Sequence, residues 1–317
     1  MPHSTINTSK ASIAVVIPTY QRPRYLKEAI ESIWEQTVLP FEIIIGDDSI
    51  DNNSELLIQE LSILSPVTIR YFHNKPSLKQ TNNIQMLFEQ SKSEYIVLLH
   101  DDDILLPRSL ELLLEPFQRN NDIIASFGNQ ILVDEHLKEL SNPLSINDSF
   151  FRIPESAGIV DGFMAGAVSM FPNDGFMVRR KEALLVGYFH DGRAGKTGDF
   201  YFGFRLGKLH KPFYYVNEIT AKYRISPDAC SIGSESCYWT VKILFEECLP
   251  TDFSVELEQS LKDRIPIAIT IAINKKDRKN AIKWLFSKYY RYKLISPRGI
   301  KRILLLIWSY CNTPFLK

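Results

Sequence analysis

Tyr95-Ile96-Val97-Leu98-Leu99-His100-Asp101-Asp102-Asp103 runs from an unbroken apolar segment straight into three adjacent acids. An apolar run this short that stops abruptly on polar residues reads as a buried strand with its carboxyl end at a site. Two earlier stretches repeat the pattern. Ile13-Ala14-Val15-Val16-Ile17 is closed by Pro18 and followed by Thr19-Tyr20-Gln21-Arg22. Phe41 to Ile45 is stopped by Gly46 and Asp47-Asp48. Between them, Tyr25, Leu26, Ala29, Ile30, Ile33 and Trp34 recur at helical spacing, and Pro40 ends that segment.

Working outward, Leu56, Leu57, Leu61 and Leu64 mark a second helix, capped near Asp51 to Ser54. Val67 to Phe72 reads as a third strand and Ile84 to Phe88 as part of a third helix. Pro107 opens a helix through Leu114, and Ile123 to Phe127 is a fifth strand. Strand and helix alternating at this pitch mean βαβ units, an α/β fold with a mainly parallel sheet and flanking helices. Ligands of such sheets bind outside the carboxyl ends of the strands, where Thr19 to Arg22, Asp47-Asp48 and Asp101 to Asp103 gather. From 141 to 175 the periodicity weakens into loop and a short helix. Phe176 to Arg179 reads as a strand, Gly198 to Arg205 as a helix with Asp199 at its start, and Ile219 to Ile225 as a late strand. After about residue 235 the chain reads as a helical extension.

The chain has 317 residues with a 45% hydrophobic share, enough for a large domain with a true core. Charge balances at 37 basic against 37 acidic residues, which argues against a nucleic-acid partner. Cys230, Cys237, Cys248 and Cys311 fit neither zinc spacing nor a disulfide framework, so a reducing compartment is expected. Residues 1 to 10 are polar and lack the apolar core of a secretory signal. The run Ile303 to Trp308 is far shorter than the ~20 residues of a membrane span. A cytoplasmic protein is therefore expected. From Lys275 to Lys317 the balance shifts to twelve Lys or Arg against one acid, Asp277, with Trp284, Tyr289, Tyr292 and Trp308 interleaved. Such a segment either lies on an anionic membrane surface or packs on the domain as a solvated basic helix.

Three adjacent carboxylates repel one another, and a hard divalent cation relieves the repulsion. Taken alone, Asp101 to Asp103 equally suit a charged turn before a helix. Asp47 and Asp48 suit hydrogen bonds to a base or ribose, or turn chemistry. Asp199 suits a general base on an acceptor hydroxyl, or a helix N-cap. Gly192 to Thr197 misses the phosphate-loop pattern because His190 stands where glycine is needed, and no GxGxxG follows the first strand.

Together these segments resemble family 2 inverting glycosyltransferases over roughly residues 11 to 232. Ser12 to Arg22 looks like that family's opening strand and loop. Phe41 to Ser49 is similar to its second strand with an Asp-Asp pair, and Glu94 to Pro107 resembles its DXD segment. Gly198-Asp199 with Arg205, and Tyr223-Arg224 with Ser231, resemble its later motifs. The resemblance implies a GT-A nucleotide-sandwich over residues 11–232, with a nucleotide-binding half at 11–130 and an acceptor half at 131–232. A polar tail at 1–10 and a helical, basic region at 233–317 would flank it. It implies that Pro18, Thr19, Tyr20, Arg22, Asp47 and Asp48 hold the nucleotide, with Lys79, Asn83 and Asp101 contributing. Asp102 would be the principal ligand of Mn²⁺ or Mg²⁺, supported by Asp101 and Asp103, and Asp199 the catalytic base. The donor would be a nucleotide-sugar, a UDP-sugar foremost, and the acceptor a glycan or lipid-linked hydroxyl in surface-polysaccharide synthesis, reached peripherally from the cytoplasmic face of a membrane. His100 and Gly198 depart from the usual acids, Asn82-Asn83 from the usual Arg-Asn pair, and Ser226 from a frequent histidine. A sugar nucleotidyltransferase and an inactive scaffold at the membrane are the competing readings.

Overall fold

The computed structural model describes residues 12–188, 192, 195, 197–225, 235–248, 251 and 254–311. The chain divides into two compact units. One comprises Met1–His190 and Phe202–Ser226, the other Asp191–Tyr201 and Pro227–Lys317.

The first unit opens with β1 (Ile13–Thr19), α1 (Pro23–Trp34), β2 (Glu42–Asp47), α2 (Asn53–Leu64), β3 (Thr68–His73), α3 (Gln80–Gln90) and β4 (Tyr95–Leu98). It continues through β5 (Ile104–Leu105), α4 (Ser109–Arg119), β6 (Ala125–Val133), α5 (Ser145–Ser149), β7 (Gly158–Val160), α6 (Gly162–Ala167), β8 (Phe176–Arg179) and α7 (Arg180–Val186). Helix α8 (Gly198–Gly207) belongs to this unit from Phe202 on, and β9 (Phe213–Arg224) completes the sheet, whose order among the described residues is β3-β2-β1-β4-β8-β6-β9-β5, with β7 also on β9.

This is the expected α/β sheet with flanking helices. Strands β3, β2, β1 and β4 are mutually parallel. Beyond them the sheet is mixed: β8 runs antiparallel to both β4 and β6, while β9 is parallel to β6. The alternating βαβ rhythm fixes parallel pairing only where a crossover helix intervenes, and that holds for the first half. Helix α1 buries Leu26, Ala29, Ile30 and Ile33 on the face its spacing marks out. Together with Val15, Ile45 and Val97 they form one continuous core, each of its Val, Leu and Ile side chains contributing roughly 1.5–3 kcal/mol on burial. Helix α2 turns inward through Ile58 and Leu61, so Leu56 and Leu64 face solvent.

A second, aromatic core holds α8. Phe202 lies 5.6 Å from Phe88, 4.8 Å from Tyr188 and 5.8 Å from Phe176. Helix α8 also crosses α6 at backbone contact. A Cβ on Gly166 would meet the Gly203 carbonyl oxygen at 2.4 Å, and one on Gly207 would meet that of Gly162 at 2.4 Å. Only glycine permits this approach.

The second unit contains α9 (Ser236–Glu247), α10 (Val255–Asn274), α11 (Arg278–Leu285) and α12 (Pro297–Cys311). Fully buried Trp284 packs 5.5 Å from Tyr238 and 6.2 Å from Phe245. Ser254 caps α10 by accepting from the Leu257 N–H, and Asp277 caps α11 by accepting from the Asn280 N–H. No helix among the described residues is long and apolar enough to cross a membrane.

Candidate active site

The parallel register brings the polar strand ends into one row. Thr19 pairs with Asp47 across β1 and β2, and Asp47 pairs with His73 across β2 and β3. Strand β4 lies on the other side of β1, with Val16 opposite Leu98, so His100 to Asp103 emerge next to Thr19. The row is tied together directly: Thr19 Oγ1 donates to Asp101 Oδ2 at 2.7 Å.

Asp47 and Asp48 are buried and surrounded by donors. Asp47 accepts from the Ser49 N–H at 2.8 Å and from the Tyr71 hydroxyl at 2.6 Å. Asp48 Oδ1 accepts from Asn74 Nδ2 and from the Leu78 N–H, each at 3.0 Å. Asn83, also buried, accepts from Asn74 and donates to the Gly46 carbonyl at 2.8 Å. Burial and the Asp47 carboxylate together push the Tyr71 hydroxyl well above its ordinary range. Lys79 is exposed at the residue preceding α3, Pro18 is half-buried, and Tyr20 is exposed at the strand end.

Asp101, Asp102 and Asp103 are supplied differently. Arg22 Nη1 donates to Asp102 Oδ2 at 2.6 Å and stands 3.6 Å from Asp101 Oδ1. Asp101 also receives the Tyr20 N–H, at 3.4 Å. Burial, and then the charge on Asp102, push the Asp101 carboxyl up from 3.8 to about 6, against the pull of Thr19 and Arg22. Asp103 is 1% exposed. Its Oδ1 accepts from the Arg224 N–H at 2.7 Å, while its Oδ2 has no donor with the neighbouring acids ionised. Asp174 lies beside it, and burial raises both carboxyls, helped at Asp103 by the Asp174 charge. A shared proton or a cation would answer Asp103 Oδ2.

One ligand atom from each of His100, Asp102 and Asp103 lies within 4.8 Å of the others. Two carboxylates and an imidazole suit Mn²⁺ well and leave positions for phosphate oxygens on Mg²⁺. The orphaned Asp103 oxygen fits the same group. Asp101 lies outside that trio and accepts from Thr19 Oγ1 and the Tyr20 N–H.

Sequence reasoning missed Asp174. It sits in the turn before β8, and because β8 enters antiparallel to β4 that turn arrives at β4's carboxyl end. Asp174 there accepts from the His100 N–H at 3.1 Å and from Gln130 at 3.0 Å. Arg224 proves to be a brace. Fully buried, it donates to the Asp102 carbonyl at 2.7 Å and to Glu28 at 2.6 Å, with Tyr25 stacked at 4.3 Å. Asp199 is half-buried in the first turn of α8, three residues before Phe202, and is counted with the second unit. Ser226, Ser231 and, within Gly192 to Thr197, Arg193, Ala194 and Lys196 lie outside the described residues. Two surface hollows, of about 210 and about 560 Å³, are lined by other residues, among them Arg119 and Tyr214 in one and Lys92 and Arg180 in the other.

Ligands of an open α/β sheet bind outside the carboxyl ends of its parallel strands, where this acidic cluster lies. The profile described as glycosyl transferase family 2 matches residues 14–184, more than half of the chain. The chain belongs to that family and is a glycosyltransferase of GT-A fold. An uncharacterised glycosyltransferase of Methanocaldococcus jannaschii is 28% identical over 218 residues, 68% of this chain and 71% of that protein. The GalNAc(5)-diNAcBac-PP-undecaprenol beta-1,3-glucosyltransferase of Campylobacter jejuni is 31% identical over 124 residues, which span 39% of each protein. Among solved structures, Staphylococcus aureus TarS 1–349 superposes with a TM-score of 0.65 at 13% identity, covering 96% of this chain and 93% of that one. The mannosyltransferase PcManGT of Pyrobaculum calidifontis, in complex with GDP-Man and Mn²⁺, gives 0.59 at 12% identity, covering 95% and 88%. These low identities speak to the fold.

Proposed function

We propose that the chain is a metal-dependent inverting transferase that moves a sugar from a nucleotide-sugar, a UDP-sugar foremost, to a hydroxyl of a glycan or lipid-linked acceptor. The observation that carries this is the His100, Asp102 and Asp103 trio beside the strand ends bearing Thr19, Asp47 and Asp48. The UDP and UDP-GlcNAc complexes of TarS and the GDP-Man and Mn²⁺ complex of PcManGT support the donor class. The catalytic domain is read as residues 11–232, with the acceptor half at 131–232. The undecaprenol-linked substrate in the Campylobacter relative's name supports a lipid-linked acceptor and a role in surface polysaccharide. We read the enzyme as cytoplasmic, meeting the membrane peripherally through its basic C-terminal region.

His100, Asp102 and Asp103 would hold Mn²⁺ or Mg²⁺, which when bound offsets charge on the leaving diphosphate. On this reading Asp48 reads the base edge, Thr19, Tyr20, Arg22 and Asp47 hold the nucleotide, and Asn83 and the exposed Lys79 contribute, Lys79 by its charge. The acceptor oxygen forms a bond to the anomeric carbon as the carbon–phosphate-oxygen bond opposite breaks. Asp199 takes the acceptor proton, and the nucleoside diphosphate leaves with the bonding pair. A single displacement inverts the anomeric centre.

Calorimetry with UDP in Mn²⁺, Mg²⁺ or chelator tests the donor site; metal-dependent binding is expected, and no binding by UDP, dTDP, GDP or CMP would reject the reading. Asp199→Asn should lower turnover by ~10²–10⁴-fold with donor affinity retained. Full turnover with donor binding lost would remove Asp199 from the base role.

A further inference from the structure

Helix α12 is held to the second unit by one side only. Leu306 is buried. Arg302 Nε donates to the Pro266 carbonyl at 3.0 Å and to Thr270 Oγ1 at 3.1 Å, and its Nη1 donates to the Tyr290 hydroxyl at 2.9 Å. The opposite side carries Ile300, Leu304, Ile307 and Trp308, which are 48%, 60%, 54% and 64% exposed. Their spacing of four, three and one residues puts them on a single helical stripe. A soluble protein's helix turns such a stripe inward; here the inward side is made by other residues.

Charge decides what covers the stripe. Exposed Lys301 lies at the edge of that stripe, and Arg278 to Cys311 contains no Asp or Glu. A second copy docking through this patch would set it against itself, basic side chains against basic, with no acid in the segment to answer them. An anionic lipid surface supplies both the apolar phase and the opposite charge. At 15 residues α12 is about 22 Å long, short of the ~30 Å hydrocarbon core, and its basic residues oppose insertion across it.

We infer that the outward face of α12 is an interfacial anchor, with Ile300, Leu304, Ile307 and Trp308 sunk into the headgroup boundary of an anionic bilayer and Lys301 at its edge meeting lipid phosphates. The inference deepens the peripheral membrane position proposed above by naming the surface and the lipid chemistry. The anchor would hold the enzyme where a lipid-linked acceptor is presented.

The whole protein is sedimented with phosphatidylcholine vesicles, alone and with about 30 mol% phosphatidylglycerol. Binding is expected on the anionic vesicles only, weakened at about 500 mM salt. Among the described residues Trp308 is the exposed tryptophan, so brominated lipid should quench its share of the fluorescence. Leu304→Ser with Ile307→Ser should lower the partition coefficient about tenfold or more while leaving the melting temperature and UDP binding unchanged. Absent anionic binding, undiminished binding by the double variant, or unquenched Trp308 would each overturn the inference. So would a dimer in light scattering that the double variant dissolves, which would make a second copy the occupant. UDP binding that fails in the parent protein while vesicle binding persists would defeat the transferase reading and leave the anchor standing.

Discussion

Asp47-Asp48 and Asp101-Asp102-Asp103 occupy corresponding places in the sheet. Each group of acids follows a buried parallel strand, and most of its members are buried. The surroundings differ. Asp47 and Asp48 are met by the Ser49 and Leu78 N–H groups, the Tyr71 hydroxyl and the Asn74 amide. The second group has Arg22, Thr19 and Arg224, yet Asp103 Oδ2 is without a donor and Asp174 adds a further acid. Buried polar groups are ordinarily hydrogen-bonded. A saturated pair can rest as it is and offer a fixed edge to a ligand. An acid-rich cluster short of donors is poised for a cation. On the proposed reading the same residue type would serve two roles, distinguished by the count of donors around it.

The largest test of that contrast is Asp102→Ala. It removes one of the trio and should abolish metal-dependent UDP binding, with turnover down ~10³-fold or more. Thermal unfolding of the metal-free variant should stay within about 1 kcal/mol of the parent, since a repelling charge leaves along with the Arg22 pair. Metal dependence that survives in the variant would place the cation elsewhere and dissolve the contrast.

Next in size is the pH dependence of the metal-free protein. Asp101 is raised from 3.8 to about 6, and Asp103 and Asp174 move in the same direction. A raised carboxyl binds its proton more tightly folded than unfolded, so its contribution is complete below about pH 4 and is lost as pH rises to about 6. For Asp101 alone the loss is about 3 kcal/mol. Melting curves in chelator should fall across that window, and Mn²⁺ at a hundred times its dissociation constant should restore about 2.7 kcal/mol at neutral pH. A flat profile, or no recovery with metal, would show that the cluster is not short of positive charge.

The strand ends were legible because their runs are mainly apolar and stop abruptly: Ile13 to Ile17, Glu42 to Ile45 and Tyr95 to Leu98 all lie in strands, while Phe41 stands exposed before β2 and Leu99 follows β4. Asp174 was not, because a Pro-Asn-Asp-Gly turn reads as loop unless the antiparallel entry of β8 is known. His100 departs from the family pattern in sequence, and its approach to Asp102 and Asp103 shows only in the folded chain. The crossing of α6 and α8 did leave a trace, glycines four apart at 162 and 166 and again at 203 and 207, but such spacing points to contact only once the two helices are known to meet. The two-residue strand β5 is too short for any periodicity.

The smallest effect probes the saturated pair. Tyr71→Phe keeps the ring, which lies 6.2 Å from His73, and deletes only the hydroxyl that donates to Asp47 at 2.6 Å. Asp47 retains the Ser49 N–H, so the cost should be about 0.5–1.5 kcal/mol in chemical denaturation, with the midpoint moving and the slope unchanged. UDP affinity should weaken only slightly, because the Asp48 partners Asn74 and Leu78 are untouched. If donor deficiency is what recruits a cation, the Tyr71→Phe protein should still gain no stability from Mn²⁺ beyond the parent's gain, since one remaining backbone donor and a lone carboxylate do not make the three-ligand set of His100, Asp102 and Asp103. An extra metal-induced stabilisation in this variant would mean that the two acid runs differ only in degree.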